Sequence, residues 1–314
     1  MTPRANRGGN GGDASSPPFS IILSAAALTH VVISGLATGS IYALMALALV
    51  IVYNATRTLN FAQGEMLMVS AFLAWTAQRT LGLSWWASIV IAIAGGALLG
   101  FVVEYAIVRR SPTATPGDVL IITLGLSLVL RALAGMIWSH DEFPFPSLFS
   151  NRPIAVGPAR LAPVSLGIIG ASLTLMLALY VLFTRTRLGR AMRAVAQNPR
   201  AARLMGVSVE RMSSTSWVLA AMVGAVAGVL VAPVVFLSTK MGLIVISGFT
   251  AAVLGGFGSM PGAVAGGMLL GVIENLAPLY LPSAIRYAVP FLLLIGILTV
   301  RPTGLLGRAT ARKV

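Results

Sequence analysis

The sequence predicts an all-α fold, a polytopic bundle of transmembrane helices with about eight membrane segments, one of them broken or re-entrant. The first observation behind this prediction is composition, since 57% of the 314 residues are hydrophobic and only 10% are charged. Soluble domains carry about 25% charged residues on average, so this chain lacks the charge to build a water-exposed surface. The second observation is a series of long uncharged runs, because a helix needs about 20 apolar residues to cross a bilayer.

The charge pattern favours membrane topology over nucleic acid binding. The net charge is +14, but the arginines stand in loops beside apolar runs and not on one soluble face. Lys and Arg are retained on the cytoplasmic side of a membrane, which explains this placement.

The residue inventory argues against an enzyme and against a cofactor of its own. The chain has no cysteine, two distant histidines and eight scattered acidic residues, which form no metal-ligand or catalytic-triad pattern. Neither of its two lysines, Lys240 and Lys313, stands in the GxxxxGK[ST] pattern of a nucleotide-binding loop. Energy for active transport would therefore come from a separate ATPase.

Three regions are predicted along the chain. Residues 1–20 are rich in Gly, Asn, Ser and Pro, which is typical of a disordered tail. Residues 21–301 form the transmembrane domain, and residues 302–314 form a cytoplasmic C-terminal tail.

The first apolar block, Ile21–Tyr53, is too long for one straight span and too short for two. We expect an entry helix that is broken near Gly35–Gly39 and continues through Tyr42–Val52. His30 in this block is expected to be a hydrogen-bonded packing residue.

Seven further apolar blocks follow. In order they are Phe61–Gln78, Trp85–Val108, Val119–Ser139, Leu161–Phe183, Ser213–Thr239, Gly242–Ile273 and Ala284–Val300. If each block crosses once, the C-terminus lies outside, although Arg301 and the basic residues after it favour the inside. A re-entrant pair of half-helices in Gly242–Ile273, interrupted by the run GGFGSMPG, resolves this conflict. The Pro-rich connection Ser139–Pro163 then lies outside.

The loop Thr184–Met212 carries seven of the twenty arginines, so it is predicted to lie in the cytoplasm. Leu188, Met192 and Val195 share one face of a predicted helix, with two arginines beside that face.

A second short helix is predicted in the same loop. Asn198 and Pro199 read as its N-cap and first helical position, and Gly206 as the stop that follows Leu204 and Met205. Two short cytoplasmic helices with a small apolar projection between charged side chains are suited to docking to another protein. The alternative is a basic anchor on acidic lipid headgroups.

The run NFAQGEM (Asn60–Met66) opens the second block. Asn60 and Gln63 have the spacing of a capping box, and Glu65 lies in the positive first turn. These polar groups either form a well-capped helix start or line a path at the cytoplasmic mouth.

The segment Ser247–Glu274 is rich in glycine and contains a break near Pro261. Repeated small-xxx-small spacings let membrane helices approach closely, and broken helices expose backbone dipoles to a solute. Packing and a pathway role are compatible here, and both stay open.

Few ionisable residues fall inside the apolar blocks. Glu104 is expected to reach toward Arg109 or the headgroups, and Glu274 lies at the outer end of the glycine segment. Arg131 sits deeper in its span, where a charge is costly unless it is paired or faces a subunit interface.

Three runs of the chain resemble the LivH-type permease subunit of branched-chain amino acid ABC transporters. They are GLATGSIYALMALALVIVYNATRTLNFAQGEMLMVSAFLAW (Gly35–Trp75), TRTRLGRAMRAVAQNPRAARLMGVSVERM (Thr184–Met212) and FTAAVLGGFGSMPGAVAGGMLLGVIENL (Phe249–Leu276). They occur in the family's order, and the similarity covers nearly all of the chain after the tail. Relatives of this kind usually have Gly at the position of Asn54 and His at that of Gln63. A hydrogen-bonding role is therefore expected for Gln63 in place of an ionisable one.

The resemblance implies a subunit of the bacterial inner membrane that pairs with a LivM-like second permease. Two LivG/LivF-like ATPase subunits would bind ATP and dock beneath it, and a periplasmic amino-acid-binding protein would deliver the solute. Membrane lipid surrounds such a subunit, and no nucleic acid partner is implied. Close relatives of the family serve urea or short amides, and a stand-alone secondary transporter or channel is the further alternative.

Two sets of site residues are expected from these patterns and the resemblance. The ATPase-coupling set is Leu188, Arg190, Met192, Arg193, Val195, Asn198, Pro199, Ala202, Leu204 and Gly206. The substrate-pathway set is Tyr42, Asn60, Gln63, Glu65, Gly255, Gly256, Gly258 and Gly262. Either Met192→Asp or Leu204→Asp is expected to leave the protein inserted but to uncouple ATP hydrolysis from uptake.

Overall fold

The computed structural model describes residues 25–110, 115–146, 154–156, 159–282, 285 and 288–307. The predicted tail 1–20 and residues 308–314 lie outside this part. The helices are α1 (Ala25–Thr56), α2 (Gln63–Arg79), α3 (Trp85–Val103), α4 (Pro116–Trp138), α5 (Pro163–Arg185), α6 (Arg187–Gln197), α7 (Pro199–Leu204), α8 (Val209–Val235), α9 (Ile244–Gly255), α10 (Met260–Tyr280) and α11 (Val289–Val300).

Three small elements complete the fold. A π-helical turn, Glu104–Val108, extends α3, and a 3-10 turn, Met241–Leu243, precedes α9. Strands β1 (Ile154–Val156) and β2 (Ala159–Leu161) form an antiparallel hairpin between α4 and α5. Apart from this hairpin, the predicted all-α fold is confirmed.

Six of the described helices are long and apolar enough to cross a membrane: α1, α3 with its π turn, α4, α5, α8 and α10. The shorter helices α2, α9 and α11 have 17, 12 and 12 residues and pack into the same bundle. The described residues thus form a bundle of six helices of spanning length and three shorter ones, which confirms the predicted polytopic bundle.

Helix α1 occupies the centre of the bundle, where it packs on α5, α8, α9 and α10. The predicted break near Gly35–Gly39 is wrong, because α1 continues through both glycines. A Cβ atom at Gly35 would lie 2.8 Å from Cα of Val272, and one at Gly39 would lie 2.9 Å from the carbonyl oxygen of Gly267. These glycines therefore allow α1 and α10 to approach closely, as small residues do between membrane helices.

Helices α2 and α9 begin inside the bundle, with their N-terminal ends in contact. A Cβ atom at Gly64 would lie 2.0 Å from the carbonyl oxygen of Gly242, so the two backbones touch. Gln63 lies beside Ala220, which is about 16 Å along α8 from its start at Val209. Helix α2 therefore starts about halfway along α8, which is a candidate membrane span, and α9 starts at the same level.

The block Gly242–Ile273 is interrupted at GGFGSMPG as predicted, but its second part is a full-length helix and not a half-helix. It holds one short helix, α9, and the 21-residue helix α10, because the helix restarts at Met260 and runs on without a break. The block thus holds one short apolar helix and one candidate membrane span. The amides of Leu305 and Leu306 donate to the carbonyl oxygens of Leu254 and Gly255 at 2.9 Å each, which places the end of the described chain beside the end of α9.

Two side-chain hydrogen bonds at the end of α1 define one side of the bundle. Arg57 Nη2 donates to the carbonyl oxygen of Ala196 in α6 at 2.7 Å, and Asn54 Nδ2 donates to that of Gly258 at 3.1 Å. The end of α1, helices α6 and α7, the α9–α10 turn and residues 301–307 therefore share one side, called here the arginine-rich side. The positive-inside pattern predicts that this side is cytoplasmic.

Candidate functional site

The arginine-rich loop folds into α6 and α7 through local capping. Thr186 Oγ1 accepts a hydrogen bond from the Gly189 amide at 3.1 Å, and Asn198 Oδ1 accepts one from the Ala201 amide at the same distance. Gly206 ends the second helix with a φ of +81°, a conformation that glycine adopts without steric cost. The roles predicted for Asn198, Pro199 and Gly206 as helix punctuation are confirmed.

The predicted apolar face of α6 turns toward the membrane helices. Met192, Val195 and Ala202 are buried, and Leu188 is partly buried against the same core. A Cβ atom at Gly189 would lie 2.3 Å from the carbonyl oxygen of Leu182, so α6 folds tightly onto the end of α5. These residues pack α6 against the bundle.

The burial of Met192 adds a folding effect to the expected effect of Met192→Asp. An aspartate at this position would place a charge in the protein core, which is destabilising in itself. The Met192→Asp variant would therefore also perturb folding, whereas Leu204→Asp would change an exposed position.

Two apolar side chains on α7 are turned outward instead. Leu204 is 89% exposed and Met205 is 84% exposed, at the end of α7 on the arginine-rich side. Four arginines of the same helix pair are exposed as well, namely Arg190, Arg193, Arg200 and Arg203. Arg203 pairs with Glu210 at 2.7 Å, which ties α7 to the first turn of α8. Leu204 and Met205, with these arginines, are called here the docking surface.

Sequence reasoning placed Leu204 in the coupling set but used Met205 only as part of a helix stop. The available signal was the pair of apolar residues directly before a helix-ending glycine. In a helix of six residues, such a pair has no long apolar face with which to be buried.

The NFAQGEM run lies where α2 begins inside the bundle. Asn60 Nδ2 donates to Gln63 Oε1 at 3.1 Å, and Gln63 Nε2 donates to the carbonyl oxygen of Ala220 in α8 at 2.8 Å. Asn60 Oδ1 accepts from the Ala62 amide at 3.1 Å. The predicted capping box is therefore wrong. The side chain of Asn60 bonds the Ala62 amide and the side chain of Gln63, and the helix has no side-chain cap. The hydrogen-bonding role expected for Gln63 agrees with these contacts.

The extended backbone that leads into α2 is satisfied by a neighbouring helix. The amide of Phe61 donates to Thr123 Oγ1 on α4 at 3.2 Å, and that hydroxyl lies 3.4 Å from the carbonyl oxygen of Leu59. Irregular backbone is tolerated at membrane depth only where protein or water satisfies it. Thr123 supplies part of that satisfaction, and sequence reasoning did not single it out.

Glu65, in the first turn of α2, forms an ion pair with Arg131 of α4. Glu65 is 2% exposed, whereas the Arg131 side chain is 35% exposed. The sequence required a partner or an interface for Arg131, and Glu65 is that partner, 66 residues earlier in the chain.

The other expected pathway residues are buried within the subunit, except for Gly258, which is half-buried. Tyr42 is buried within the α1 core. A Cβ atom at Gly255 would lie 1.8 Å from the carbonyl oxygen of Gly262, and one at Gly256 would lie 2.3 Å from the amide of Gly307. These glycines pack the α9–α10 turn and the C-terminal residues together. The carbonyl oxygen of Gly258 accepts a hydrogen bond from Asn54. Asn54, which stands where similar permeases usually have Gly, therefore stabilises this turn.

Glu104 is held at the arginine-rich end of α3 by two partners. Ser214 Oγ donates to Glu104 Oε2 at 2.5 Å, and Arg109 Nε lies 3.8 Å from Glu104 Oε1. The expected contact of Glu104 with Arg109 is confirmed, with Ser214 of α8 as an additional partner.

Comparison with known proteins agrees with this architecture. The family described as "Branched-chain amino acid transport system / permease component" matches residues 31–298, which include every membrane segment except the first residues of α1 and the last of α11. The chain belongs to this permease family.

Three relatives of this permease are similar over 90% of the chain and 96% of their own length. The high-affinity branched-chain amino acid transport system permease protein LivH of Salmonella typhimurium is 34% identical, and the LivH protein of Escherichia coli K12 is 32% identical. The corresponding permease protein BraD of Pseudomonas aeruginosa is 31% identical over the same shares.

Proposed function

We propose that this permease is the membrane subunit of an ABC importer that carries branched-chain or related hydrophobic amino acids across the bacterial inner membrane. The observation that carries the proposal is similarity over nearly the whole length to LivH and BraD, whose names state transport of this solute class. No catalytic role is assigned to the chain itself.

The docking surface supports a mechanism driven by separate ATPases. Leu204 and Met205 project from a folded helix pair that also carries exposed arginines, a combination of apolar anchor and charged residues that is typical of protein interfaces. In this mechanism two LivG/LivF-like ATPases bind ATP and press on α6 and α7. A LivM-like permease completes the pathway, and a periplasmic amino-acid-binding protein delivers the solute.

Movement of α6 would reach the pathway through the end of α1. Arg57 is bonded to the end of α6, and Asn54, one turn earlier, is bonded to the α9–α10 turn. A displacement of α6 would therefore act on α1 and on the start of α10 together. The short helices α2 and α9, whose N-terminal ends meet inside the bundle, are the elements that such a movement would separate.

The proposal is tested by reconstituting the chain with a LivM-like permease, LivG/LivF-like ATPases and an amino-acid-binding protein. Uptake of leucine, isoleucine or valine into proteoliposomes should require ATP and all of these components. The matched control contains ATPases whose P-loop lysine is replaced by alanine, and it should show no accumulation. If the purified chain accumulates a solute without any ATPase, the proposed function is wrong. Uptake of urea or short amides in place of leucine would change the substrate class and keep the mechanism.

A further inference from the structure

Arg131 is a charged side chain at membrane depth that its own subunit covers only in part. It lies about 10 Å along α4 from the helix end at Trp138, which places its Cα atom inside the hydrocarbon region. Yet 35% of its side chain is exposed. A charge that faces lipid at this depth is costly, so the exposed part of Arg131 requires water or another protein chain in front of it.

The ion pair with Glu65 leaves part of the hydrogen-bonding capacity of Arg131 unused. A guanidinium group has five N–H donors. Within the described residues, its one hydrogen bond runs from Nη2 to Glu65 Oε1, while Arg131 Nε and Glu65 Oε2 are buried without a partner. Glu65 therefore accepts a single hydrogen bond from the guanidinium group. A bidentate pair would use two of the N–H donors, so more donors stay unused here.

The exposed side of Arg131 continues along one stripe of α4. Leu124, Leu128 and Arg131 follow each other at helical spacing, and the two leucines are 43% and 66% exposed. This stripe borders the side on which α4 packs against α2. The neighbouring residue Val129 is 53% exposed but points about 160° away from Arg131 around the helix.

We propose that the Arg131 stripe of α4 lines the translocation pathway, and that the Arg131 guanidinium group, held in place by Glu65, binds the carboxylate of the passing substrate. The proposal rests on the proposed function, because amino acids carry an α-carboxylate whichever side chain they have. An arginine is suited to this contact, since its planar donors match a carboxylate and its charge is permanent. Glu65 is a positioning residue, because it is buried and acts through Arg131.

The first test measures water access to the stripe. The chain has no cysteine, so Leu128→Cys and Val129→Cys each introduce a single thiol at nearly the same depth. In the reconstituted transporter, a charged thiosulfonate should label Leu128→Cys roughly tenfold faster than Val129→Cys, since the reactive thiolate does not form in hydrocarbon. Equal labelling of the two, or faster labelling of Val129→Cys, would overturn the assignment of the pathway.

The second test separates carboxylate binding from a purely structural ion pair. Arg131→Gln and the double variant Arg131→Gln, Glu65→Gln are compared for the maximal rate of leucine uptake and for thermal stability. If Arg131 binds the carboxylate, both variants should transport roughly tenfold more slowly, because both lack the charged hydrogen bond to the substrate. If the pair is only structural, the neutral double variant should regain uptake together with stability, and the inference would be wrong.

These outcomes stay distinct from a failure of the proposed function. If the chain is not an ABC permease, the wild-type assembly shows no ATP-dependent uptake, and the variants are not needed for that conclusion. If only the inference fails, the wild-type assembly transports normally and the double variant recovers.

Discussion

Replacing Leu204 and Met205 together by alanine should weaken the binding of the ATPase subunits and leave the membrane bundle intact. Both side chains are almost fully exposed, so their truncation removes little from the folded core. Each truncation deletes about three methylene-sized groups, worth about 0.8 kcal/mol apiece when buried. The double variant therefore loses up to about 4.8 kcal/mol of binding free energy, or ~3000-fold in Kd.

The assay for this prediction is the affinity of the purified ATPase pair for the permease pair in nanodiscs, followed by ATP-dependent uptake. The matched control is Leu177→Ala on α5, which also removes an exposed leucine side chain but lies on a membrane-facing helix. Its Kd should equal that of the wild type. An unchanged Kd for the Leu204→Ala, Met205→Ala variant would refute the docking surface. If the double variant binds the ATPases normally and only binds anionic lipid more weakly, the loop is a lipid anchor.

The remaining predictions concern two positions that hold helices together. Gly189→Ala should lower the thermal stability and the ATP coupling, because the added Cβ would lie 2.3 Å from the carbonyl oxygen of Leu182. The control is Gly170→Ala, which has open space around it and should raise stability slightly or leave it unchanged. Gln63→Leu should lower the free energy of unfolding by about 1–3 kcal/mol, because the Ala220 carbonyl oxygen loses its side-chain donor inside the membrane. Gln63→His, which can donate one hydrogen bond, should lose less, and equal melting temperatures for the two Gln63 variants would contradict this explanation.

Local signals in the sequence were sufficient for the outline of the molecule. The apolar blocks identified most membrane segments, since a span must be long, uncharged and bounded by charge. Asn198, Pro199 and Gly206 predicted the boundaries of α7 because capping depends on residues a few positions apart. Features of this kind are decided within one or two helical turns, so a single chain carries the necessary information.

Features that depend on packing between distant segments were predicted less well. Gly35 and Gly39 suggested a broken helix, but the surrounding helices stabilise α1 and use both glycines for close contact with α10. Met192 and Leu204 have similar apolar character, yet one is buried and the other exposed, because the angle between α6 and the bundle decides which face is covered. The pairing of Glu65 with Arg131 likewise depends on where α2 begins in depth, which hydropathy does not reveal.

The backbone pairing of the C-terminal residues with α9 bears on how the protein can be shortened or tagged. Leu305 and Leu306 donate hydrogen bonds to the last carbonyl groups of α9, which lack helical partners at a helix end. A deletion that starts at Arg301 would remove these donors, although α11 itself would be complete. A reporter fused after the full sequence keeps the contacts, whereas one fused directly after Val300 should give a less stable protein and lower membrane yield.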